Sequence, residues 1–578
     1  MTRETMDSGG YVIVAGDPGL HDPMVEACLD RLLRGGWRVR FDVSGIRIVT
    51  GPRFAWPVAQ IHRRHAFVGE WRGDGVHPSA IAGSSRTGRE VAQRLMGEGW
   101  GAYLMVWRDD EGRLNLARDP SGAIDAVWWR RNGLTIVTDR PPSAIDPLLP
   151  DALGVDWARL GAILRTPALL SDEVPLTGLS ALAPGGWVRP HDQGTSVSLW
   201  RPGDFARRGA DGSREALVEV VDRAVTGVMR TRGRVLAELS GGLDSAIVAG
   251  SLRATGHAER ATFINYHGEE AEGDERRYAR AAARHSGVEL ETAPKPVAPL
   301  RAEDFVPLGL GLRPALQGVD VAYDRDAGRR LAALDADGLI TGQGGDSVFF
   351  HAPDPRVARD RFRRIGLPAL NPAYLAAVGR WTRHSAWTVA RLAVTGGPAG
   401  ASRCAHPWLE DLSDLPPAKR GQIERLVNNQ LFWTDCLRAR QAPLLNPLLS
   451  QSVIEHCLGV PSDRLTLGPR DRGLARMAFA DRLPPEIRER RSKGDLSVFY
   501  GRVIRASLPA LKGLLLDGRL AAQGVLDRGQ LEVDLDENRL LWSEGTNQPL
   551  LAAVLETWTR NWERRIADRR TQVTRQPV

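Results

Sequence analysis

Residues Leu236–Gly250 read LAELSGGLDSAIVAG: an apolar run that stops at Ser240-Gly241-Gly242, then a run of small and apolar residues from Ser245. Val235–Leu239 has the composition of a buried strand, and Ser245 to about Ala254 that of a helix, so two glycines, two serines and Asp244 sit where a strand hands over to a helix. Such a junction suits an anion. The first N–H groups of a helix have no intrahelical acceptor, and the helix dipole favours negative charge there. Glycine lets the backbone come close to phosphate oxygens. Ser240 and Ser245 add hydroxyl donors, and Asp244 is placed to hold Mg2+ beside phosphates. The GK[ST] ending of a Walker A loop and the GxGxxG of a dinucleotide site are both absent.

Downstream, the same rhythm repeats. A strand over Thr262–Tyr266, a helix over Asp274–Ser286, a strand near Val288–Glu291 and a short strand over Gly338–Thr341 predict βαβ units and a parallel sheet. The last strand runs into Gly342-Gln343-Gly344-Gly345-Asp346, a second loop of glycines with one aspartate. Two carboxylates at neighbouring strand ends, Asp244 and Asp346, suit one Mg2+ bound to ATP. Beyond Pro355 the chain reads as mainly helical.

Upstream the pattern differs. Ala102–Trp107 and Arg113–Ala117 flank Asp109-Asp110-Glu111-Gly112, and Ala126–Trp129 and Leu134–Thr138 flank Arg131-Asn132-Gly133. Both read as hairpins, and a further strand pair is expected around Pro184-Gly185-Gly186. Arg201–Arg214, rich in Gly and charge, is the expected linker.

Over 578 residues, 42% apolar and 25% charged, the composition is that of a multidomain globular enzyme. No window approaches the 18 or more apolar residues of a membrane span, and the polar start MTRETMDSGG does not read as a signal peptide, so a cytoplasmic location is expected. Cys28, Cys404, Cys436 and Cys457 form no CxxC pair, which fits reduced thiols. The net charge of +7 comes from scattered arginines, so no nucleic-acid partner is expected. Only Lys295, Lys419, Lys493 and Lys512 are lysines, which singles out any lysine in a chemical motif.

SGGLDS resembles the pyrophosphate-binding loop of the asparagine-synthetase superfamily of ATP pyrophosphatases. RDPSG (Arg118–Gly122) and ALAPGGWVRP followed by Leu199-Trp200 are similar to segments of that superfamily's glutaminase-type domain. GDERRYAR (Gly273–Arg280), TGQGGD (Thr341–Asp346) and RRSKGD (Arg490–Asp495) are similar to motifs of its synthetase domain. The resemblance implies an α/β chain of two parts. Residues 1–205 would form a glutaminase-like (Ntn-type) antiparallel β-sandwich, and residues 206–578 an ATP-pyrophosphatase domain with a parallel sheet and a helical carboxyl-terminal part.

A glutaminase needs an amino-terminal cysteine, and this chain has Thr2 there. It also lacks an Asn-Gly-Glu substrate loop, since residues 68–77 read VGEWRGDGVH. The first domain is therefore expected to be a scaffold or docking surface. In the second loop Gln343 stands where asparagine synthetases carry Glu and β-lactam synthetases Tyr, and glutamine cannot act as a base. AHPWL (405–409), PPAKR (416–420), PLLSQSVIEHCLGVP (447–461) and RDRGLARMAFADRLP (470–484) resemble segments of lasso peptide cyclases.

That resemblance implies adenylation of an Asp or Glu side chain in a precursor core peptide, then attack by the peptide's own amine to close a macrolactam. ATP and Mg2+ would be required, with a leader peptidase and a leader-recognition protein as partners. Leu239, Ser240, Gly241, Gly242, Asp244, Ser245, Phe263 and Gly344 would bind ATP, and Asp244 with Asp346 the metal. Lys493 would stabilise negative charge. Asp435, in LFWTDC, and Glu455 are the acid–base candidates, and Ile264 is a further residue expected to flank adenine. An amide ligase for a small amino acid and an inactive peptide-binding homologue are the alternatives.

Overall fold

The hairpin signals of the first 200 residues mark a sandwich covered on both sides. The computed structural model describes residues 9–17, 21–62, 64–73, 75–85, 87–192, 196–268, 273–397, 405–433, 435–491, 497–537 and 548–575. One antiparallel sheet holds β1 (Tyr11–Ala15), β2 (Arg38–Val43), β3 (Ile46–Thr50), β8 (Val127–Arg131), β9 (Leu134–Thr138) and β10 (Ser180–Ala181), in the order β10-β8-β9-β1-β3-β2. The other holds β4 (Val58–His62), β5 (His65–Gly73), β6 (Gly99–Arg108), β7 (Leu114–Arg118), β11 (Gly186–Val188) and β12 (Val197–Ser198), in the order β12-β11-β7-β6-β5-β4. The β8–β9 hairpin turns on Asn132 (φ 48°) and Gly133 (φ 79°), the doubly positive pair that a two-residue turn requires.

Alternation along the strands builds the layers. Ile13, Ile48, Leu104, Val106, Leu116 and Val137 meet between the sheets. On the outer faces, Val12 and Val14 pack with Cys28, Leu29 and Leu32 of helix Pro23–Arg34. Met105 and Trp107 pack with Leu95 and Met96 of helix Gly88–Glu98. With a layer packed on either face, the central strands β1, β7 and β9 are buried at every position. The strands around Pro184-Gly185-Gly186 do not pair with each other, contrary to expectation. β10 joins β8 and β11 joins β7, so this turn carries the chain from one sheet to the other.

The second half is built on five parallel strands: β13 (Val235–Glu238), β14 (Ala261–His267), β15 (Leu290–Pro294), β16 (Leu339–Ile340) and β17 (Leu444–Leu445). Their order is β15-β14-β13-β16-β17. Sequence reading missed β17, two residues inside a helical stretch. The chain works outward from β13 to β15, then reverses to β16 and β17. That reversal opens a crevice at the carboxyl ends of β13 and β16, which is where open α/β sheets bind ligands. Helix Leu243–Ala254 follows β13 and is buried from Ser245 to Leu252, so its small residues allow close packing. Gly250, for example, lies against Arg482.

The expected linker is partly ordered structure. Pro202–Arg208 is a helix whose Arg207 pairs with Asp414, and position 205 falls inside it. Indole donors tie the two halves together: Trp408 Nε1 donates to the Pro184 carbonyl (3.0 Å) and Trp200 Nε1 to Glu455 (2.6 Å). No described helix is long and apolar enough to cross a membrane.

Candidate active site

The loop after β13 is closed by its own hydroxyls. Ser245 Oγ accepts from the Ser240 amide (3.2 Å), lies 3.0 Å from Ser240 Oγ and donates to the Gly242 carbonyl (3.2 Å). Ser240 Oγ also accepts from the Gly242 amide (3.3 Å). The two serines therefore fix the loop's shape. The following helix begins at Leu243 with Gly242 as N-cap and no side-chain cap, leaving its first-turn N–H groups to a ligand.

The glycines divide into two kinds. Gly241 has φ 85°, and a Cβ there would meet the Glu275 carbonyl at 2.9 Å, so the fold itself requires glycine. Gly242 has φ −81°, and its nearest neighbour to a Cβ would be Ser240 Oγ at 3.3 Å. The fold leaves that space open on the cavity side, a cradle that a side chain would fill.

In the second loop the glycines serve contact between the loops. A Cβ on Gly342 would stand 2.4 Å from the Ser245 amide nitrogen, and one on Gly345 2.4 Å from Asp244 Cγ. Gly344 (φ 91°) lies over Leu449. The loop after β16 thus rests directly on the start of the helix after β13. Thr341 Oγ1 pins it, accepting from the Gln343 amide (3.0 Å) and donating to Asn446 (2.7 Å), just past β17.

This packing brings Asp244 and Asp346 to one point. Arg472 Nη1 donates to both, at 2.8 Å and 2.7 Å, while its Nη2 reaches Asp471 at 3.0 Å. Burial pulls the Arg472 pKa down, but the three carboxylates outweigh it and hold the guanidinium above its ordinary value. Asp471 is held well below the carboxylate range despite burial, by hydrogen bonding with His351 and by Arg476 and Arg472. Two hard oxygen donors already gathered around one cationic nitrogen fit a Mg2+ site completed by phosphate oxygens.

Both loops open onto a cavity of about 430 Å3, lined also by Gln343, Arg472, Arg476 and Arg490. Arg490, from the expected lysine motif, contacts the Gly241 carbonyl (3.4 Å), pairs with Glu275 (2.6 Å) and lies 3.9 Å over the Tyr278 ring. The motif therefore docks on the first loop. Lys493 lies outside the described residues.

The far end of the cavity was not foreseen. Glu238, the last residue of β13, accepts from the Tyr323 hydroxyl, and burial raises its pKa despite Tyr323, Arg438 and Lys295. Lys295 pairs with Asp320 and lies within 6 Å of the rings of Tyr323, Phe499 and Tyr500. The position of Lys295, directly after a strand end in a chain poor in lysine, was the available signal. Nothing local marked Tyr323 or Arg472, which long-range packing delivers.

Four expectations need correction. Phe263 is on the face of β14 away from the cavity, in the hydrophobic core, whereas Ile264 lines the cavity. Leu239 is buried and does not line the cavity: its amide bonds the Ile264 carbonyl (2.9 Å) and its carbonyl accepts from Asn265 (2.9 Å). Asp435 is at the junction of the halves, paired with Arg140 (3.1 Å) and Arg440 (2.9 Å), which hold its pKa low against the effect of burial. Glu455 is half-buried against Trp200 and Gln451, with a pKa raised by desolvation. Neither acid lines the cavity, so both act as packing anchors in this fold.

Residues 216–560 match the asparagine synthase family. No curated protein matches the chain. Among solved structures, a U34-tRNA thiolase NcsA from Methanococcus maripaludis with its [4Fe-4S] cluster is 18% identical, over 38% of this chain and 80% of that one, with a TM-score of 0.19. The glutamine phosphoribosylpyrophosphate amidotransferase from B. subtilis, complexed with ADP and GMP, is 11% identical over 59% of this chain and 86% of that one, also at a TM-score of 0.19. The family match spans more than half of the chain and contains both glycine loops, Asp244, Asp346 and Arg472. The chain belongs to the asparagine synthase family of ATP-using amide ligases.

Proposed function

We propose that the chain is an ATP-dependent lasso peptide cyclase. It would join an Asp or Glu side chain of a precursor core peptide to that peptide's own N-terminal amine, releasing AMP and PPi. The observation that carries this reading is Gln343 in the cavity wall, within the second glycine loop. The residue at that point can donate and accept hydrogen bonds but cannot take a proton from an incoming amine, as a carboxylate could.

The chain's residues supply binding and charge. The first-turn amides after Gly242 would take the phosphates, and Asp244 and Asp346 would hold Mg2+, whose chemistry is to neutralise phosphate charge. Arg472, Arg476 and Arg490 line the same cavity and would offset the negative charge of departing PPi. The ribose and base would run from the loop along β13 and β14, past Glu238 and Ile264. The peptide carboxylate attacks the α-phosphorus of ATP, forming a C–O–P bond as the α–β bridge breaks and PPi leaves. The amine then attacks the acyl carbon, the acyl–oxygen bond breaks, AMP departs and the amine proton passes to solvent. Lys493 would stabilise charge in both steps. Holding a folded peptide while excluding water is an entropy-trap task, which a preformed cavity serves. The sandwich would act as scaffold or docking surface, and a leader peptidase and leader-recognition protein would supply the core peptide.

The test is PPi release from ATP with a precursor peptide, against free aspartate plus ammonia, in wild type and Asp244→Ala. Peptide-dependent release with loss of one water from the peptide supports cyclisation. Release with aspartate and ammonia moves the chain to small-substrate amide ligation. Silence from both proteins points to a binding homologue or to a missing partner protein.

A further inference from the structure

A second cavity, of about 140 Å3, lies where the sandwich meets the synthetase half. Arg53, Arg118, Arg140, Arg313 and Arg440 bring five positive charges to its wall. Asp125, Asp139 and Asp435 bring three negative charges, leaving an excess of two. Each of two carboxylates serves two guanidiniums: Asp125 takes Arg118 (3.4 Å) and Arg313, and Asp435 takes Arg140 (3.1 Å) and Arg440 (2.9 Å). Donors therefore outnumber acceptors. Nε and Nη1 of Arg140, Nη2 of Arg313 and Nη1 of Arg440 are buried with no hydrogen-bond partner among the described residues. The Arg440 side chain is only 5% exposed. Burial raises the Asp139 pKa to about 7, which weakens the negative side further at neutral pH.

Buried guanidinium N–H groups without acceptors are costly unless an anion answers them, and guanidinium forks suit oxyanions with several acceptor oxygens. The volume equals that of roughly five water molecules, enough for a tetrahedral oxyanion and too small for a nucleotide. We propose that this cavity binds a small oxyanion of the phosphate class, held by Arg140 from the sandwich and Arg313 and Arg440 from the synthetase half. The ligand bridges the halves, so its binding strengthens their junction. This site is separate from the nucleotide cavity and independent of the lasso assignment.

The test uses the full chain with inorganic phosphate, against sodium chloride at matched ionic strength, read by thermal unfolding and titration calorimetry. Because phosphate could also enter the loop after β13, Gly242→Ser serves as the control for that site. The expected result is a saturable rise in Tm with phosphate in wild type and in Gly242→Ser, with affinity at least tenfold weaker in Arg140→Gln. Arg140→Lys keeps the charge but loses the fork, and should show the same weakening should Arg140→Gln fail to fold. No phosphate-specific rise, an equal rise with chloride, or a rise lost in Gly242→Ser and kept in the Arg140 variants would each overturn the proposal.

Discussion

In the loop after β13, Gly242 meets nothing closer to a Cβ position than a serine hydroxyl at 3.3 Å, and its backbone is of a kind any residue adopts. In the loop after β16, a Cβ on Gly342 would collide with the Ser245 backbone at 2.4 Å. The two loops share a composition, glycines with one aspartate, yet their glycines answer to different neighbours. Gly342 and Gly345 of the second loop make room for the first loop, and Gly242 makes room for what the first loop binds. The second loop is thus the support on which the first is held in shape.

Gly342→Ala should therefore have the largest effect, because the atom it strikes is backbone and the helix start must move. Overpacking of this kind costs about 1–3 kcal/mol, and a displacement near 1 Å at a reacting centre costs roughly 100-fold in rate. Denaturant unfolding and ATP-dependent PPi release should both report the change. Wild-type values in both would remove the support role.

The next effect tests what holds the loops' two aspartates together. In Arg472→Met, Asp244 and Asp346 lose their shared cation, so like charges remain side by side. Turnover is expected to fall at least tenfold, since the loss of even one of Arg472's charge-assisted contacts costs about that much. Unfolding without nucleotide should shift to lower temperature and be restored by millimolar Mg2+, while the wild type responds little. An Arg472→Met protein indifferent to Mg2+ would mean that the aspartates do not form a cation site.

Much of this was legible in the sequence, for a physical reason. Loops at strand ends carry their chemistry in contiguous residues, so SGGLDS and TGQGGD announce themselves, and the Asn132-Gly133 turn does too. What was not legible depends on contacts between distant segments. Arg472 reaches Asp244 across 228 residues and Tyr323 reaches Glu238 across 85, with no local pattern to mark either. Phe263 and Ile264 are adjacent and equally apolar, and only the register of β14 decides which faces the cavity. Asp435 drew attention as an acid near an expected segment, but its two arginine partners, one of them Arg140 in the other half, bind it at the junction.

The comparison sharpens at Gly242 itself. Serine is among the best N-cap residues and glycine a weaker one, and the backbone there, φ −81° and ψ 163°, accepts serine. Were Gly242 present for the fold, Gly242→Ser would lower the Tm, and the folded protein would bind ATP as before. The expected outcome is separation of the two properties: Tm unchanged or raised, with ATP affinity about tenfold weaker, since phosphate oxygens lose their approach to the backbone. Calorimetric titration with ATP beside thermal unfolding measures both.

The smallest effect comes from the residues two positions before each loop. Before the second stands the apolar Ile340, and before the first Glu238, a half-buried acid with a pKa raised by desolvation above its ordinary 4.5. A carboxyl whose folded pKa is raised binds its proton more tightly in the folded state, so folding is favoured while the group is protonated. The wild type then loses stability as pH climbs from 4.5 to the folded pKa, and no further beyond it. Glu238→Gln keeps an acceptor for the Tyr323 hydroxyl but cannot ionise. Its Tm relative to wild type should therefore grow from acid to neutral pH and then level off. A difference that instead shrinks with rising pH would mean that Tyr323, Arg438 and Lys295 stabilise the Glu238 anion more than burial penalises it, and the strand end before the first loop would carry a full negative charge.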